Sequence, residues 1–289
     1  PGADQTVWRQ VVSDVCGDDA ELMGFLQRWF GYCMTGSVRE QVFTVHWGTG
    51  RNGKSTLLDT VARVMGDYAG AAAPGLLASS ERGAERHPTE IAGLRGKRMV
   101  TAHESDDGAV LREGFVKQVT GGDKMTGRFM REDFFEFSPT HKVQLLTNHK
   151  PAIRGNDPGI WRRVLLVPYT RSFGTVAQLE RGEVTGLADL GLVERLYGDT
   201  DALAGVMAWL VQGAVAWAAG GLLAPSVVKV AVESYRTEQD RLGQFVRECC
   251  EIAPADVLAR IVAGVRIGGA AVSGVGRSTE PMTSTSTGG

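Results

Sequence analysis

Eight consecutive residues, Gly48-Thr49-Gly50-Arg51-Asn52-Gly53-Lys54-Ser55, have the types and spacing of a loop that binds a nucleoside triphosphate. In the pattern G-x-x-x-x-G-K-[ST], glycines let backbone N–H groups wrap phosphate oxygens, the lysine reaches the outer phosphates and the hydroxyl reaches a magnesium ion. On this reading Gly48 to Thr56 bind ATP, Lys54 is also catalytic, and Ser55 is a ligand of Mg2+. Such a loop needs a second acid at the end of a neighbouring apolar strand, to hold the metal and polarise the attacking water. Glu104 fits, because it follows the apolar run Arg98 to His103; Asp106 and Asp107, one short loop further on, compete with it. Asn148 follows the apolar run Val143 to Thr147, where a polar side chain can orient the attacking water. An asparagine at a strand end is also a common turn former. Arg162 and Arg163 precede another apolar run, and an arginine there reads either as a finger on a neighbouring subunit's γ-phosphate or as a surface ion pair.

The elements that must position these residues are legible as periodicities. Gln41 to Trp47 alternates and is rich in β-branched and aromatic residues, so it predicts a strand entering the Gly-rich turn, and Lys54 to Met65 predicts the helix that leaves it. Downstream, Lys97 to His103, Lys142 to Thr147 and Val164 to Pro168 predict strands, with an amphipathic helix over Val110 to Thr120. Strands alternating with helices imply a largely parallel sheet, an α/β fold. Phe129 to Phe137, aromatic and charged between Gly127 and Pro139, predicts a projecting hairpin. Before the first strand, Val7, Val11, Val12, Leu22, Phe25, Leu26, Trp29 and Phe30 recur three and four apart and predict short helices.

Composition sets the limits. The chain has 289 residues, 43% hydrophobic and 22% charged, which suffices for a sizeable core. A net charge of −2 excludes a uniformly basic coat but leaves open a local basic strip in a pore or groove. Cys16, Cys33, Cys249 and Cys250 form no C-x-x-C pair, which argues against a structural zinc site and for a reducing cytoplasm. Ala202 to Val228 lacks charge and is long enough to span a bilayer, but Val206, Leu210, Ala214 and Trp217 at helical spacing favour a buried helical pair broken near Gly220-Gly221, and no membrane. The organisation expected is a helical lead-in over 1–40, a P-loop core over 41–173, a helical subdomain over 174–255, and a disordered tail over 256–289. That tail, from about Gly264, has almost no large side chains. A first residue other than Met suggests a piece of a longer protein.

These pieces in this order resemble the superfamily 3 helicase domain of the phage and plasmid primase-helicases, a family that includes the poxvirus primase-helicase. The matching text is GTGRNGKSTLL, RMVTAHE, VKQVTGGDKMTGR, FEFSPTHKVQLLTNHKP and WRRVLLVPY, and it runs from about Val11 to Cys250. The resemblance implies an AAA+-like sheet with flanking helical segments, a homo-hexameric ring, ATP between neighbours, single-stranded DNA in the channel, and an upstream primase domain. It makes Lys54 and Ser55 the nucleotide loop, Glu104 the acid, Asn148 the sensor and Arg163 the finger, with Arg162 as fallback. Its channel hairpin falls on Lys124 to Phe135, so Lys124, Arg128 and Arg131 become DNA contacts, with Phe129 as a stacking surface; a hairpin that only packs on its neighbour is the alternative.

Two departures matter. Many members of that family carry paired acids where this chain has His103 before Glu104, which leaves metal contact and general base undivided. The text after about Ala255 matches nothing in the family, as truncation or a frame change would produce. No acidic cluster for nucleotidyl transfer precedes the loop, so priming is not expected of this chain. Two other readings stay open: a DNA-independent P-loop enzyme, which the TGGD block and the Arg pair oppose, and a scaffold that binds ATP and DNA without turnover, which the intact set of Lys54, Ser55, Glu104 and Asn148 opposes.

Overall fold

The computed structural model describes residues 2–79, 88–104, 108–154, 157–240, 243–245, 249–251, 266–267 and 270–271. By contacts the chain divides into two units, Pro1–Gln239 and Asp240–Gly289.

The first unit opens with α1 (Thr6–Cys16) and α2 (Ala20–Cys33). Asp19 caps α2, its carboxylate accepting from the Leu22 N–H at 3.0 Å. Next come β1 (Phe43–Trp47), α3 (Lys54–Met65), β2 (Ala69–Ala71), β3 (Ala78–Ser79), α4 (Pro88–Ala92) and β4 (Met99–Glu104). They are followed by β5 (Val110–Leu111), α5 (Glu113–Thr120), β6 (Met125–Gly127), β7 (Phe135–Phe137), β8 (Lys142–Thr147), α6 (Pro158–Trp161) and β9 (Val164–Pro168). Then β10 (Phe173–Gly174), α7 (Val176–Glu180), β11 (Gly186–Leu187), α8 (Leu192–Tyr197), α9 (Thr200–Gly220) and α10 (Ser226–Gln239) complete it.

Five strands form one sheet in the order β2-β4-β8-β1-β9, every pair parallel. Such a sheet is buried on both faces, and the strands alternate accordingly. Phe43, Val45, Val100, Ala102, Val143, Leu145, Val164 and Leu166 join one core, with residues of α5, α6 and α10. Met99, Leu146 and Val167 join the other, with α1, α2, α3 and α9. Among the polar residues of these strands Thr44, His46 and Gln144 are fully buried, and Lys142 and Thr147 of β8 are nearly so. Gln144 accepts from the Trp29 indole at 3.2 Å, and His46 lies 2.7 Å from the Tyr169 hydroxyl and 2.9 Å from that of Thr44. Burial holds His46 neutral, its pKa pushed down to about 3.

Helix α9 is long and apolar enough to cross a membrane by composition, and one of its faces packs into the core, most extensively on α2. Val206, Trp209, Leu210 and Trp217 are its buried face, and the Trp8 and Trp209 rings meet edge-on at 5.6 Å. Gly221, with φ 74°, stops it before α10, so the segment is a helical pair broken at the glycines.

Two elements differ from expectation. Val110 to Thr120 is not one helix: Val110–Leu111 pairs with Ala78–Ser79, and the helix begins at Glu113. The apolar start of that segment finds a strand partner, and non-local pairing overrides the helical period. The hairpin strands are β6 and β7, antiparallel, so most of the stretch 128–134 is the connection rather than a strand. Asp106 and Asp107 lie outside the described residues, as does most of the chain beyond Glu251. In the second unit Cys250–Glu251, Arg266–Ile267 and Ala270–Ala271 pair as a small antiparallel sheet.

Candidate functional site

The loop 48–53 leaves β1 at its C-terminal end and enters α3 at Lys54. Gly50 (φ 98°), Arg51 (φ 50°) and Gly53 (φ 78°) adopt left-handed conformations. Successive left-handed turns direct backbone N–H groups into one concavity, an anion-binding arrangement at a helix N-terminus. Glycine is also demanded sterically. A Cβ on Gly48 would overlap the Asn52 amide and lie 2.6 Å from the Tyr169 carbonyl oxygen, and one on Gly53 would overlap Val15.

Lys54 is 5% exposed, and its ammonium donates to the Gly48 carbonyl at 2.6 Å and to Asn148 Oδ1 at 3.3 Å. Burial pushes its pKa down to about 8. The Asn52 Nδ2 group is buried without a hydrogen-bond partner among the described residues. A lysine folded back onto its own loop and an orphaned amide donor beside it are what a phosphate group would satisfy, so these residues fit a triphosphate. Ser55 is exposed and Thr56 half-buried in the first turn of α3.

The strand order brings the other candidates to the same edge. In parallel register Glu104 pairs with Thr147, so Glu104 and Asn148 sit at the C-terminal ends of β4 and β8, with β8 next to β1 and β4 one strand further out. Neighbouring strands lie about 4.8 Å apart, so the C-terminal ends of β4, β8 and β1 fall within roughly 10 Å of one another. Ligands of open α/β sheets bind at this edge. The Trp47 indole donates to the Asn148 carbonyl at 3.1 Å, tying the residue before the loop to the residue after β8.

Arg162 and Arg163 are not brought to this site. Val164 pairs with Phe43, the first residue of β1, so the arginines lie at the opposite edge of the sheet, roughly 16 Å of strand from the loop. Arg163 donates to the Gly159 carbonyl at 2.6 Å and to Thr120 Oγ1 at 3.2 Å; Arg162 is exposed and reaches Gln41 Oε1 at 3.4 Å. Burial, then the neighbouring Arg162, lowers the Arg163 pKa from its ordinary value.

Lys124, Arg128 and Arg131 gather on the β6–β7 hairpin. Lys124 pairs with Glu136 at 3.3 Å, Arg128 stacks over the Phe134 ring at 4.6 Å, and Arg131 is exposed. Phe129 (38% exposed), Met130 (74%) and Phe134 (58%) are the apolar side chains that the connection presents to solvent. At the hairpin base a Cβ on Gly127 would overlap α4 at Ala92.

A cavity of about 780 Å³ flanks the loop on the α1 side. Val11, Val15, Phe173 and Leu187 supply apolar wall, and Asp14, Gln178 and Asp189 supply polar groups. Its volume is that of a small-molecule site. Sequence reasoning missed it, because α1, the loop and 173–192 are distant in the chain and carry no shared pattern.

If Lys54 binds phosphate as the ammonium ion, nucleotide affinity has a defined pH dependence. A bound phosphate raises the lysine's pKa above about 8, so binding takes up a proton, and affinity is full below pH 8 and falls above it. From pH 7 to pH 9 the Kd should rise about tenfold. A terminal phosphate, with its second pKa near 6, is already ionised over that range. Titrations with a fluorescent ATP analogue at both pH values check this, and a flat profile would remove Lys54 from the phosphate.

Comparison with known proteins follows the same residues. A family of unknown function, DUF5906, matches residues 46–163, the stretch that contains the loop, Glu104, Asn148 and the Arg pair. The chain is 28% identical over 240 residues to "Putative helicase L207/L206" of Acanthamoeba polyphaga mimivirus, covering 79% of this chain and 24% of that protein. It is 27% identical over 223 residues to "Putative helicase 022R" of Frog virus 3, covering 73% and 22%. A third relative, "Putative primase C962R" of African swine fever virus, is 28% identical over 128 residues, covering 44% and 13%. The chain thus spans about a quarter of the length of the first two. Among solved structures, the C-terminal region of NrS-1 matches with a TM-score of 0.54 at 13% identity, over 73% of this chain and 46% of that one, and so shares the fold. The primase-helicase family that the motifs resemble is therefore the one to which this chain is similar, from the strand before the nucleotide loop to the arginine pair and beyond.

Proposed function

We propose that this chain is the motor domain of a helicase of the primase-helicase type, hydrolysing ATP to move along single-stranded DNA during replication. The observation that supports the proposal is the contact of Lys54 with Asn148, at the C-terminal ends of adjacent parallel strands, with Glu104 ending the next strand of the same sheet. On this reading the backbone of residues 48–53 and the Asn52 amide hold the phosphates, Lys54 leaves the Gly48 carbonyl for them, and the cavity beside Gly53 takes the base and ribose. Ser55 and Glu104 would hold magnesium, which when bound neutralises charge on the phosphate oxygens. Glu104 and Asn148 orient and polarise the attacking water. Arg163, at the far edge of the sheet from its own loop, acts on a γ-phosphate only if that phosphate belongs to a neighbour. A ring, taken as six subunits from the family resemblance, would supply that neighbour, in bacterial cytoplasm where phage or mobile elements replicate. The upstream primase domain belongs to a longer protein.

The hairpin is the proposed DNA contact. Exposed Phe129 and Phe134 offer stacking faces, and Arg128 and Arg131 offer phosphate contacts that carry no base preference. Replacing both arginines by Ala should weaken single-stranded DNA binding and lower the slope of log Kd against log salt by about 0.7 per lost phosphate contact. Fluorescence anisotropy across a salt series measures that slope, and an unaltered slope would assign the hairpin to packing.

Steady-state ATP hydrolysis with and without single-stranded DNA tests the whole proposal. Stimulation by DNA is the expected result. Robust hydrolysis indifferent to DNA would make this a different P-loop ATPase, and DNA and ATP binding without hydrolysis would make it a scaffold.

A further inference from the structure

Asn148 is held less by its own contacts than by the segment that follows it. Its amide oxygen is 3.3 Å from Lys54 Nζ, a long hydrogen bond, so its placement depends on the backbone of residues 148–153. Strand β5 holds one point of that segment, where the Ala152 N–H donates to the Ala109 carbonyl at 2.7 Å and the Leu111 N–H donates to the Ala152 carbonyl at 2.8 Å.

Three further anchors come from the last turns of α10. Glu238 forms an ion pair with Lys150, the Tyr235 hydroxyl donates to the Pro151 carbonyl, and Gln239 Oε1 accepts from the Ile153 N–H at 3.1 Å. The Lys150 ammonium also lies over the rings of Trp47, at 4.7 Å, and Tyr235, at 5.5 Å. Trp47 in turn donates to the Asn148 carbonyl. Tyr235 is fully buried, and its ring meets Trp161 edge-on at 5.3 Å, immediately before the Arg pair. Helix α10, some ninety residues further along the chain, therefore touches both the segment that carries Asn148 and the segment that carries Arg162 and Arg163.

We propose that Tyr235 and Glu238 are positioning residues for ATP turnover: through Pro151 and Lys150 they fix the turn that presents Asn148 to the nucleotide. This rests on the reading of the site as an ATPase. It follows from how steeply rate depends on geometry, since a displacement near 1 Å can cost about 100-fold. Glu238 is half-exposed, and exposed ion pairs contribute little to global stability. Its loss should therefore be read in turnover rather than in folding.

The test uses Glu238→Gln and Tyr235→Phe in this chain, with kcat, the Kd for a fluorescent ATP analogue and the melting temperature measured beside the parent protein and Lys54→Ala. In the Glu238→Gln variant kcat should fall about tenfold or more, with Kd within about twofold and the melting temperature within roughly 2 °C of the parent. Tyr235→Phe keeps the ring against Trp161 and removes only the hydroxyl, and it should show the same split between kcat and Kd. Parental kcat in both variants, or equal loss of kcat and nucleotide affinity, would overturn the proposal while Lys54-dependent hydrolysis by the parent left the ATPase reading standing. A parent protein without Lys54-dependent hydrolysis would overturn both.

Discussion

Lys54→Ala should lower ATP turnover by about 10²- to 10³-fold, the scale of removing one preorganised donor from a developing charge. The structure adds a prediction on stability that separates this from damage to the fold. Lys54 is 5% exposed, and burial depresses its pKa to about 8, so at pH 7 the folded protein carries a desolvated ammonium held by a backbone carbonyl and an amide oxygen. Alanine removes that cost together with the catalytic group. The melting temperature of the variant, without nucleotide at pH 7, should match or exceed that of the parent. The pH dependence of that stability is a second readout. A lysine whose folded pKa lies below its unfolded value of 10.5 is a burden below pH 8, and the burden is relieved as pH rises from 8 towards 10.5. Any stability gain of the variant should therefore shrink over that window. Thermal melts at pH 7 and pH 9.5 with paired hydrolysis assays measure both. A variant that melts much lower than the parent while losing activity would mean that Lys54 holds the loop together rather than serving the phosphate.

Gly31→Ala should destabilise the protein by about 3 kcal/mol, lowering the melting temperature by roughly 6–12 °C. Local preference points the other way, since alanine in a helix interior is favoured over glycine by about 1 kcal/mol. Packing decides the sign. Helices α2 and α9 cross with their backbones in contact: a Cβ on Gly31 would overlap the Gly213 carbonyl carbon and Ala214 N, and a Cβ on Gly213 would overlap the Gln27 carbonyl oxygen. Neither obstacle is a flexible side chain, so the helices must separate. Separation loosens the Tyr32–Trp217 ring contact at 4.6 Å and the hydrogen bond from Gln27 Nε2 to the Trp209 carbonyl at 3.1 Å. Thermal denaturation of the single variants settles the matter. A neutral or stabilising Gly31→Ala would mean that the two helices do not cross at these glycines.

Much of the site was legible because it is local. A strand, a Gly-rich turn and a helix lie within 23 residues, from Phe43 to Met65, and each has its own periodicity or turn chemistry, so loop and helix start were readable from residue types alone. Strands Lys142–Thr147 and Val164–Pro168 coincide with their predicted spans, because Val143, Leu145 and Leu146 in the one and Val164 to Val167 in the other are apolar clusters that stand out against their flanks. Asn148 was visible for the same reason, as the first polar residue after such a run. The segment Val110–Leu111 was misread because two residues cannot display a period, and only the distant partner Ala78–Ser79 makes them a strand.

By itself, then, the sequence determined the phosphate loop, the α/β alternation, the helical break at Gly220-Gly221 and the polar groups at strand ends, each of which is written within one turn or one strand. Strand order, which neighbouring residues do not encode, was decided only by the tertiary structure. It sets β8 beside β1 and β4 beside β8, so that Asn148 and then Glu104 follow the loop along one end of the sheet, and it sends Arg163 to the opposite end of the same sheet. The cavity between α1 and residues 173–192, the backbone crossing of α2 and α9, and the hold of α10 on the Asn148 turn belong to the same class. Their physical reason is common: each is made by side chains or backbones far apart in the chain, whose meeting depends on burying both faces of one sheet at once.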